Sequence, residues 1–398
     1  MKNSSITSPQ GFRAGATACG IKDSGNLDLG VLVAEASCSA SAVFTRNRFC
    51  GAPVIVGREH IRNGRLRAMV VNSGCSNVAT GKRGIADARK MCRLVAKTIG
   101  AAETDILPSS TGVIGEFMPM ASIQQGIYQA LASLSSSATA GRRFARAIMT
   151  TDTKPKEACE QIRIGRSQVT IAGCCKGSGM IAPNMATMLG FITTDAIISA
   201  RELKRLLTAA VEPTFNRVTI DECESTSDTV AIMASGLGGT VENRRAKASF
   251  ASSLLSVCES LAYQIVADGE GATKVLEVTV TGAKNTKDAH AAARAVAVSP
   301  LVKTAVNGGD PNWGRIIQAL GAISVAYRTE RVTVRLDNTT IFTKGAPARR
   351  LEHRQLAKIM KQKHVPITID LGAGRSRDRV LTCDLSREYV TINADYHT

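Results

Sequence analysis

Aromatic residues and long apolar runs are scarce in this sequence, and each shortage excludes a class of protein. Only 4% of the 398 residues are aromatic, so a core has to be built mainly from aliphatic side chains. No run approaches the roughly 18 apolar residues that a membrane-spanning helix needs. The first twenty residues also lack the apolar segment of a signal peptide. We therefore expect a cytoplasmic protein without a membrane anchor.

Metal and nucleophile motifs built on histidine or cysteine pairs are also missing. There is no HExxH pair, and none of the eleven cysteines forms a CxxC pair, which argues against a zinc site or a disulfide framework. GxSxG and GxxxxGK[ST] are absent too, which removes the common serine-hydrolase and phosphate-loop enzymes. The five histidines are far apart in the sequence: His60, His290, His353, His364 and His397. We expect no bound metal.

The net charge of +17 raises the question of nucleic-acid binding. Lysine and arginine are scattered along the chain, and no basic tail or aromatic RNA-binding signature accompanies them. We therefore expect no nucleic-acid partner. A basic nucleic-acid-binding protein with a degenerate active site stays as the alternative from another functional class, and a steep loss of DNA affinity with salt would support it.

Hydrophobic periodicity predicts an α+β protein with mixed α/β layers, because strands and helices are intermixed without a strict βαβ rhythm. The Ser199-x-x-Glu202 pattern predicts a capped helix start, and Pro300 should interrupt a helix over 289–306. A surface connection is predicted over 131–142. Strands are predicted over 67–72, 169–173, 191–195, 331–336, 365–371, 379–385 and 389–394, and helices over 84–99 and 246–267.

The most unusual stretch runs from Lys176 to Phe191 and reads KGSGMIAPNMATMLGF. Its glycines and Pro183 require special backbone geometry within an otherwise apolar window. From the residues alone, the ordinary interpretation is a tight connection between strands that happens to contain a polar Thr187.

This stretch matches, nearly letter for letter, the cleavage-site motif of the glutamate N-acetyltransferase / ornithine acetyltransferase family of arginine biosynthesis. Further motifs of that family occur in the family's order, so the resemblance spans the whole chain. They are Ser110-Thr-Gly-Val-Ile-Gly115, Met149-Thr-Thr-Asp-Thr153, Asp268-Gly-Glu-Gly-Ala-Thr-Lys274, Gly309-Asp-Pro-Asn-Trp-Gly-Arg-Ile316 and Ile392-Asn-Ala-Asp-Tyr-His-Thr398.

The resemblance implies a precursor that cuts itself between Ala186 and Thr187, giving an α chain 1–186 and a β chain 187–398. The implied fold is the self-cleaving, N-terminal-threonine-nucleophile type shared with certain aminopeptidases. Thr187 would be the nucleophile, and its new α-amino group, with a reference pKa of ~7.7–8, would be the general base. The Thr111 hydroxyl and the Gly112 N–H would stabilise the oxyanion. Without the family, the segment around Thr111 is an ordinary turn.

The resemblance also implies the substrates: N2-acetylornithine as acetyl donor and glutamate as acceptor, exchanged through an acetyl ester of Thr187. No cofactor is implied, although some family members accept acetyl-CoA as a co-substrate and no residue decides this point here. The family forms α2β2 heterotetramers. The implied substrate-binding residues are Thr153, Lys176, Thr187, Glu270, Asn393 and Thr398.

Three departures from the family pattern affect substrate detail rather than reaction class. Cys75 replaces an asparagine, the segment 221–229 carries extra acids at Glu222 and Glu224, and His397 lies in the tail. The alternative within the same chemistry is an amidohydrolase or aminopeptidase, because water can also hydrolyse an acyl-threonine ester.

Overall fold

The structure is a computed structural model. It describes residues 4–182, 188–349 and 353–395. These residues fall into two compact units. The first unit comprises Met1–Asn216 and Glu224–Ile265, and the second comprises Arg217–Cys223 and Val266–His397.

The elements alternate irregularly between strand and helix, as the mixed pattern predicted. The strands are β1 Phe12–Thr17, β2 Leu29–Phe44, β3 Arg65–Cys75, β4 Ile106–Val113, β5 Lys156–Ile164, β6 Ser167–Lys176, β7 Leu189–Thr194, β8 Val218–Thr219, β9 Thr229–Ala234, β10 Val275–Ala283, β11 Thr333–Leu336, β12 Thr339–Thr343, β13 Ala346–Pro347, β14 His364–Asp370 and β15 Ser376–Cys383. The α-helices are α1 Ala52–His60, α2 Gly81–Ile99, α3 Met120–Ala132, α4 Ala138–Ala147, α5 Ala200–Val211, α6 Arg244–Ala267, α7 Thr286–Val298, α8 Pro300–Asn307, α9 Trp313–Gly321, α10 His353–Met360 and α11 Arg387–Asp395.

The first unit is built on a sheet with the order β4-β3-β2-β9-β7-β6-β5, with β1 added beside β2. Strand β2 belongs to both halves of this sheet. Its first part pairs with β1 and β3, and its last part pairs with β9, with a register shift between Val33 and Cys38. Strand β7 pairs antiparallel with β6 and parallel with β9.

The two halves of this sheet share one core, since buried side chains from β1, β2 and β3 cluster with those of β6, β7 and β9. Phe144 of α4 joins this core and meets Phe191 edge-on, with ring centroids 5.7 Å apart. Helices α1, α2 and α3 cover the outer face of the first half. Helix α6 covers the other half, because a Cβ at Gly173 would lie within 3.3 Å of Val257 and Leu261. Helices thus cover the outer faces of both halves of the sheet, while the inner core between the halves also receives α4.

The second unit contains the sheet β13-β12-β11-β14-β10-β15-β8. Alternate residues of β10, namely Leu276, Val278 and Val280, face a core that α7 closes with alanine and valine. The buried positions of α7 repeat at helical spacing, as a helix lying on a sheet requires; they are Ala289, Ala292, Ala293, Val296 and Ala297.

The predicted α+β class is confirmed, and so are most predicted elements. The hydroxyl of Ser199 accepts a hydrogen bond from the Glu202 N–H, and the predicted break at Pro300 separates α7 from α8. Three predictions are wrong. The segment around Thr111 belongs to strand β4 instead of a turn, because it pairs with β3. Residues 389–394 belong to helix α11 instead of a strand; Val390 is 65% exposed, so this β-branched run has no buried face to pack in a sheet. The connection predicted over 131–142 shrinks to 133–137, because α3 and α4 extend into it.

Helix α6 is the one described helix long and apolar enough to meet a membrane-span criterion, with a mean hydropathy of 1.3. Core helices of soluble proteins meet the same criterion, so this is weak evidence. In this protein, Val257 and Leu261 of α6 pack against β6 at Gly173. Ser256 of the same helix donates a hydrogen bond to Glu160 of β5.

Candidate active site

The two residues expected to form the oxyanion hole lie at the end of β4, beside the end of β3. Strands β3 and β4 are parallel here, so Thr111 aligns with Ser73 and Gly112 aligns with Gly74. Gly112 has φ 129°, and a Cβ on it would lie 2.3 Å from the Gly74 carbonyl carbon. Only glycine therefore fits at this position. Thr111 is buried, with 6% of its surface exposed.

Buried polar side chains hold these two strand ends together. The Ser110 hydroxyl donates a hydrogen bond to the Asn72 side-chain oxygen, and the Asn72 amide donates to the Cys75 carbonyl at 2.8 Å. The Cys75 thiol, which replaces the family's asparagine, is buried and points to the Glu116 carbonyl at 3.5 Å. Burial raises the pKa of Cys75, so the thiol stays protonated. The replacement of asparagine by Cys75 therefore adds no charge, and its thiol has a backbone contact.

A buried ion pair joins the loop between α4 and β5 to the first residue of β5. Asp152 accepts a hydrogen bond from Lys156 Nζ at 2.6 Å, and both side chains are completely buried. The same carboxylate accepts the Gly177 N–H at 2.7 Å and the Thr150 N–H at 3.0 Å. Burial alone would raise the pKa of Asp152, but Lys156, Lys176 and the Gly177 N–H lower it to about 2. Asp152 is therefore a permanent carboxylate that fixes the start of the loop after β6.

Lys176, an expected substrate-binding residue, is the last residue of β6 and is only 4% exposed. Lys22 lies in the same neighbourhood, because its pKa responds to the charges of Lys176 and Asp152. Burial lowers the pKa of Lys22 to about 8; Lys176 adds to this effect, while Asp28 and Asp152 oppose it. The side chain of Lys22 also lies against Gly74, where a Cβ would be 3.3 Å from its Cγ.

Hydrogen bonds connect the end of β3 with α4, and the segment after α4 with the segment after β6. The Ser73 hydroxyl donates to the Ala147 carbonyl at the end of α4, at 2.6 Å. Downstream of α4, the hydroxyls of Thr151 and Ser178 lie 2.7 Å apart. Thr153 itself lines an open cavity of about 720 Å³ together with Thr150, Asp152 and four basic residues: Lys22, Arg143, Arg146 and Lys154. These contacts connect Ser73, the neighbour of Thr111, with the end of α4, and the segment before Thr153 with the segment after β6.

The expected nucleophile Thr187 and the expected cleavage position after Ala186 lie outside the described residues. The description resumes at Met188, whose N–H donates to Asp228 Oδ1 at 2.9 Å. The Met188 carbonyl accepts the Thr229 N–H at 3.1 Å, which starts the parallel pairing of β7 with β9. Hydrogen bonds therefore hold both the N–H and the carbonyl of Met188.

Asp228 differs from Asp152 in its surroundings. It is 1% exposed, and its Oδ2 has no hydrogen-bond partner of ordinary geometry among the described residues. Burial raises the pKa of Asp228 well above its usual value, while the Met188 N–H, the Ser225 hydroxyl and Lys176 oppose this. Glu224 adds to the increase. The extra acid of this segment thus acts on a buried carboxyl group.

Two further expected substrate-binding residues meet in the second unit. Asn393 of α11 donates from its side-chain amide to Glu270 Oε2 at 2.8 Å and to the Tyr389 carbonyl at 3.0 Å. The Ser386 hydroxyl donates to the Gly271 carbonyl at 2.6 Å, so α11 and the loop 268–274 hold each other. The sixth expected residue, Thr398, lies outside the described residues.

The other departure in this unit, Glu222, forms an ion pair with Arg294 at 2.6 Å. It has φ 65°, a left-handed conformation at a residue type that rarely adopts it. Arg294 of α7 therefore neutralises the charge of Glu222. Glu224, in contrast, raises the pKa of Asp228.

Sequence reasoning missed the two buried acids, Asp152 and Asp228, and the lysine partner Lys156. Asp152 stands inside the quoted motif Met149–Thr153, but nothing in a single sequence distinguishes it from a turn residue. A weak signal for Asp228 was available, because it is an acid placed directly before strand β9, whose residues after Thr229 are all apolar. Within the described residues, no group of three or more His, Cys, Asp or Glu side chains could hold a metal ion.

Comparison with known proteins places these residues in a family. The model of the ArgJ family matches residues 13–398. The chain is 42% identical over 403 residues to the arginine biosynthesis bifunctional protein ArgJ of Dehalococcoides mccartyi, covering 100% of this chain and 98% of that protein. It is 44% identical to the ArgJ protein of Geobacter sulfurreducens, covering 98% of this chain and 99% of that one.

Among solved structures, ArgJ of Bacillus halodurans matches with 43% identity and a TM-score of 0.44, covering 46% of this chain and 95% of that chain. Ornithine acetyltransferase of Mycobacterium tuberculosis, solved with ornithine, matches with 34% identity and a TM-score of 0.41, covering 45% of this chain and 94% of that chain. The family model and the full-length relatives agree, and the chain belongs to the ArgJ family, whose curated members are named arginine biosynthesis bifunctional proteins.

Proposed function

We propose that this chain is an acyltransferase of arginine biosynthesis that moves an acetyl group from N2-acetylornithine to glutamate, yielding ornithine and N-acetylglutamate. The observation that supports the proposal is that glycine alone fits at position 112, where β4 ends beside Gly74 of β3, as a backbone N–H aimed at an oxyanion requires. Full-length similarity to ArgJ proteins supports the same assignment.

The first proposed step is self-cleavage. The Thr187 hydroxyl attacks the Ala186 carbonyl, the acyl group moves from nitrogen to oxygen, and water hydrolyses the resulting ester. The products are a carboxylate at Ala186 and a free α-amino group at Thr187. Because the reference pKa of an α-amino group is ~7.7–8, a useful neutral fraction exists near pH 7. Cleavage thus creates a general base next to the hydroxyl that it activates.

Acetyl transfer follows in two half-reactions. The α-amine takes the Thr187 hydroxyl proton while the oxygen attacks the acetyl carbonyl of acetylornithine. The Thr111 hydroxyl and the Gly112 N–H are assigned to the oxyanion. The intermediate collapses, the proton passes to the departing ornithine amine, and an acetyl ester remains. The glutamate amine then attacks this ester and regenerates Thr187.

Substrate binding is assigned to Thr153, Lys176, Glu270, Asn393 and Thr398 by their match to the family motifs. Lys176 and Glu270 carry opposite charges, as recognition of a zwitterionic amino acid requires. A cytoplasmic location and an assembly of two α and two β chains belong to the same proposal. The assembly predicts a native mass of about twice the 42.0 kDa of one chain.

The test of self-cleavage compares purified wild type with Thr187→Ala by denaturing gel, intact mass and N-terminal sequencing. We expect two fragments in the wild type, the second beginning Thr-Met-Leu-Gly, and one uncut, inactive chain in the variant. An uncut but active wild type would rule out the α-amine base.

The test of transfer measures acetylornithine consumption with and without glutamate. We expect consumption to depend on glutamate and to give equal amounts of ornithine and N-acetylglutamate. Equal rates without an acceptor would instead identify an amidohydrolase. Replacing acetylornithine with acetyl-CoA in the same assay decides whether acetyl-CoA is also a donor.

A further inference from the structure

A buried carboxylate fixes the loop between β1 and β2 against the end of β3. Asp28 is completely buried, and its side-chain oxygens accept the Cys19 N–H at 2.8 Å and the Ile21 N–H at 2.7 Å. The same carboxylate accepts the Lys22 N–H at 3.3 Å. The Asp28 carbonyl accepts the Ser73 N–H at 2.8 Å, which joins the loop to β3. The backbone of Lys22 therefore has a defined position.

The side chain of Lys22 lies beside the strand ends that carry the expected oxyanion residues. A Cβ on Gly74 of β3 would be 3.3 Å from Lys22 Cγ, and Gly74 aligns with Gly112 of β4. Lys22 also lines the cavity of about 720 Å³ that Thr153 lines. This volume is in the range of small-ligand sites. Lys22 is thus near both the strand ends and an expected substrate-binding residue.

The ammonium group of Lys22 has the capacity to bind an anion. It donates a hydrogen bond to the Leu27 carbonyl at 2.8 Å, and an ammonium has three N–H donors. Within the described parts of the chain it forms no ion pair, because backbone N–H groups occupy Asp28 and Lys156 occupies Asp152. Burial lowers the pKa of Lys22 to about 8, so most of it is still protonated at pH 7.

The other walls of this cavity are also basic. Arg143, Arg146 and Lys154 line it together with Lys22. The acid among the described lining residues is Asp152, and Lys156 neutralises its charge at 2.6 Å. Positive charges along a cleft raise the local concentration of anionic ligands. The cavity therefore favours a carboxylate and disfavours an ammonium group.

The two proposed substrates differ in the charges that they present. N2-acetylornithine carries one carboxylate and one side-chain ammonium, which Lys176 and Glu270 match in the proposed assignment. Glutamate attacks with a neutral amine and carries two carboxylates, whereas the assigned set has one cationic side chain, Lys176. The acceptor therefore needs a second cation. Burial and the charge of Lys176 both lower the pKa of Lys22, so the two ammonium groups are neighbours.

We propose that Lys22 determines the specificity for the acyl acceptor, because its ammonium group binds the side-chain carboxylate that glutamate has and acetylornithine lacks. The inference rests on the proposed function. The remaining N–H donors of Nζ bind the carboxylate while the hydrogen bond to the Leu27 carbonyl is kept. The donor's side chain ends in an ammonium group, which the basic cavity repels. The two half-reactions should therefore depend on Lys22 to different extents.

The experiment compares full-length wild type, Lys22→Met and Lys154→Met at pH 7, each checked for self-cleavage and thermal midpoint. Because the proposed exchange has two half-reactions, kcat/KM for each substrate reports on its own half-reaction. We measure this ratio for acetylornithine, for glutamate, and for glutamine, which has nearly the shape of glutamate without the side-chain charge. The wild type should prefer glutamate to glutamine by at least about tenfold, as a hydrogen bond to a charged group implies.

Lys22→Met should lower kcat/KM for glutamate by about ten- to a hundredfold and leave kcat/KM for acetylornithine within about threefold of wild type. Its preference for glutamate over glutamine should fall below about threefold, because the charge that distinguishes them is gone. Lys154→Met removes an equal charge from the same cavity. Lys154 is exposed, so solvent screens its charge and kcat/KM for glutamate should fall by no more than about threefold.

Three results would overturn the inference. The first is an equal loss for both substrates in Lys22→Met, since Lys22 would then serve a group that the substrates share, or only the fold. The second is an equal loss in Lys22→Met and Lys154→Met, which would reflect the general field of the cavity. The third is a wild type that uses glutamine as well as glutamate. If Lys22→Met cannot be isolated, Lys22→Gln replaces it, because its amide can still donate to the Leu27 carbonyl; retention of the glutamate preference there contradicts the inference.

The same experiment separates this inference from the proposed function. A wild type that is uncut or unable to transfer acetyl groups to glutamate overturns the proposed function, and the role of Lys22 is overturned with it. A wild type that transfers acetyl groups to glutamate, beside a Lys22→Met enzyme with an unchanged glutamate preference, overturns the role of Lys22 alone.

Discussion

The loop that contains the expected cleavage position has a buried acid at each end, and the two acids are in opposite electrostatic states. Asp152 accepts the N–H of Gly177 where the loop begins, and Asp228 accepts the N–H of Met188 where the description resumes. Lys156 and Lys176 lower the pKa of Asp152 to about 2 against the effect of burial. Burial dominates at Asp228 and raises its pKa well above the usual value.

The difference shows how one residue type serves two purposes in one site. Asp152 has a buried ammonium partner at 2.6 Å, so its charge is constant and it can only anchor backbone. Asp228 has no partner this close, so its protonation can respond to a new charge nearby.

Removing the lysine partner of Asp152 should have the largest effect on stability. Lys156→Met leaves the Asp152 carboxylate buried without its ammonium partner, and breaking a buried pair from one side costs about 3–5 kcal/mol. Urea unfolding of the variant should show this loss. The double variant Lys156→Met/Asp152→Asn should recover part of it, because the stranded charge is gone. Equal stability of Lys156→Met and wild type would contradict the anchoring role.

The two acids should also give opposite pH dependences, measured in the uncut Thr187→Ala background. The lowered pKa of Asp152 contributes about 2 kcal/mol of stability that is present above about pH 4 and lost as the pH falls towards 2. The raised pKa of Asp228 has the reverse effect: stability is full below about pH 4 and decreases as the pH rises towards its folded-state pKa.

Urea midpoints across pH 2–8 test this contrast. Asp152→Asn should flatten the acid side of the profile, and Asp228→Asn should flatten the side above pH 4. Identical slopes in the two variants would show that the acids are not in different states.

The smallest expected effect concerns the hydroxyl pair at the beginning of the loop. Ser178→Ala removes the contact with Thr151 at 2.7 Å, and a lost hydrogen bond of this kind costs about 1 kcal/mol. We expect a small decrease in urea midpoint and a self-cleavage rate within about tenfold of wild type. A complete block of cleavage would mean that Ser178 acts on the reaction itself instead of on the loop.

Much of the fold could be predicted from local sequence patterns. The capping box at Ser199 and the break at Pro300 were readable because caps and proline act within one turn of a helix. Helix α11 was missed because its Tyr-Val-Thr-Ile run favours a strand by composition, while its exposed side chains offer no face for a sheet.

For the candidate site too, some features follow from the sequence and others only from the tertiary structure. The sequence alone determined the order of the motifs, and with it the family resemblance from which the roles of Thr111, Gly112 and Thr187 are predicted. Only the tertiary structure decided which acids hold the loop. Asp228 reaches Met188 across 40 positions through the parallel pairing of β7 with β9. Its state depends on burial and on neighbouring charges, and a linear pattern records neither.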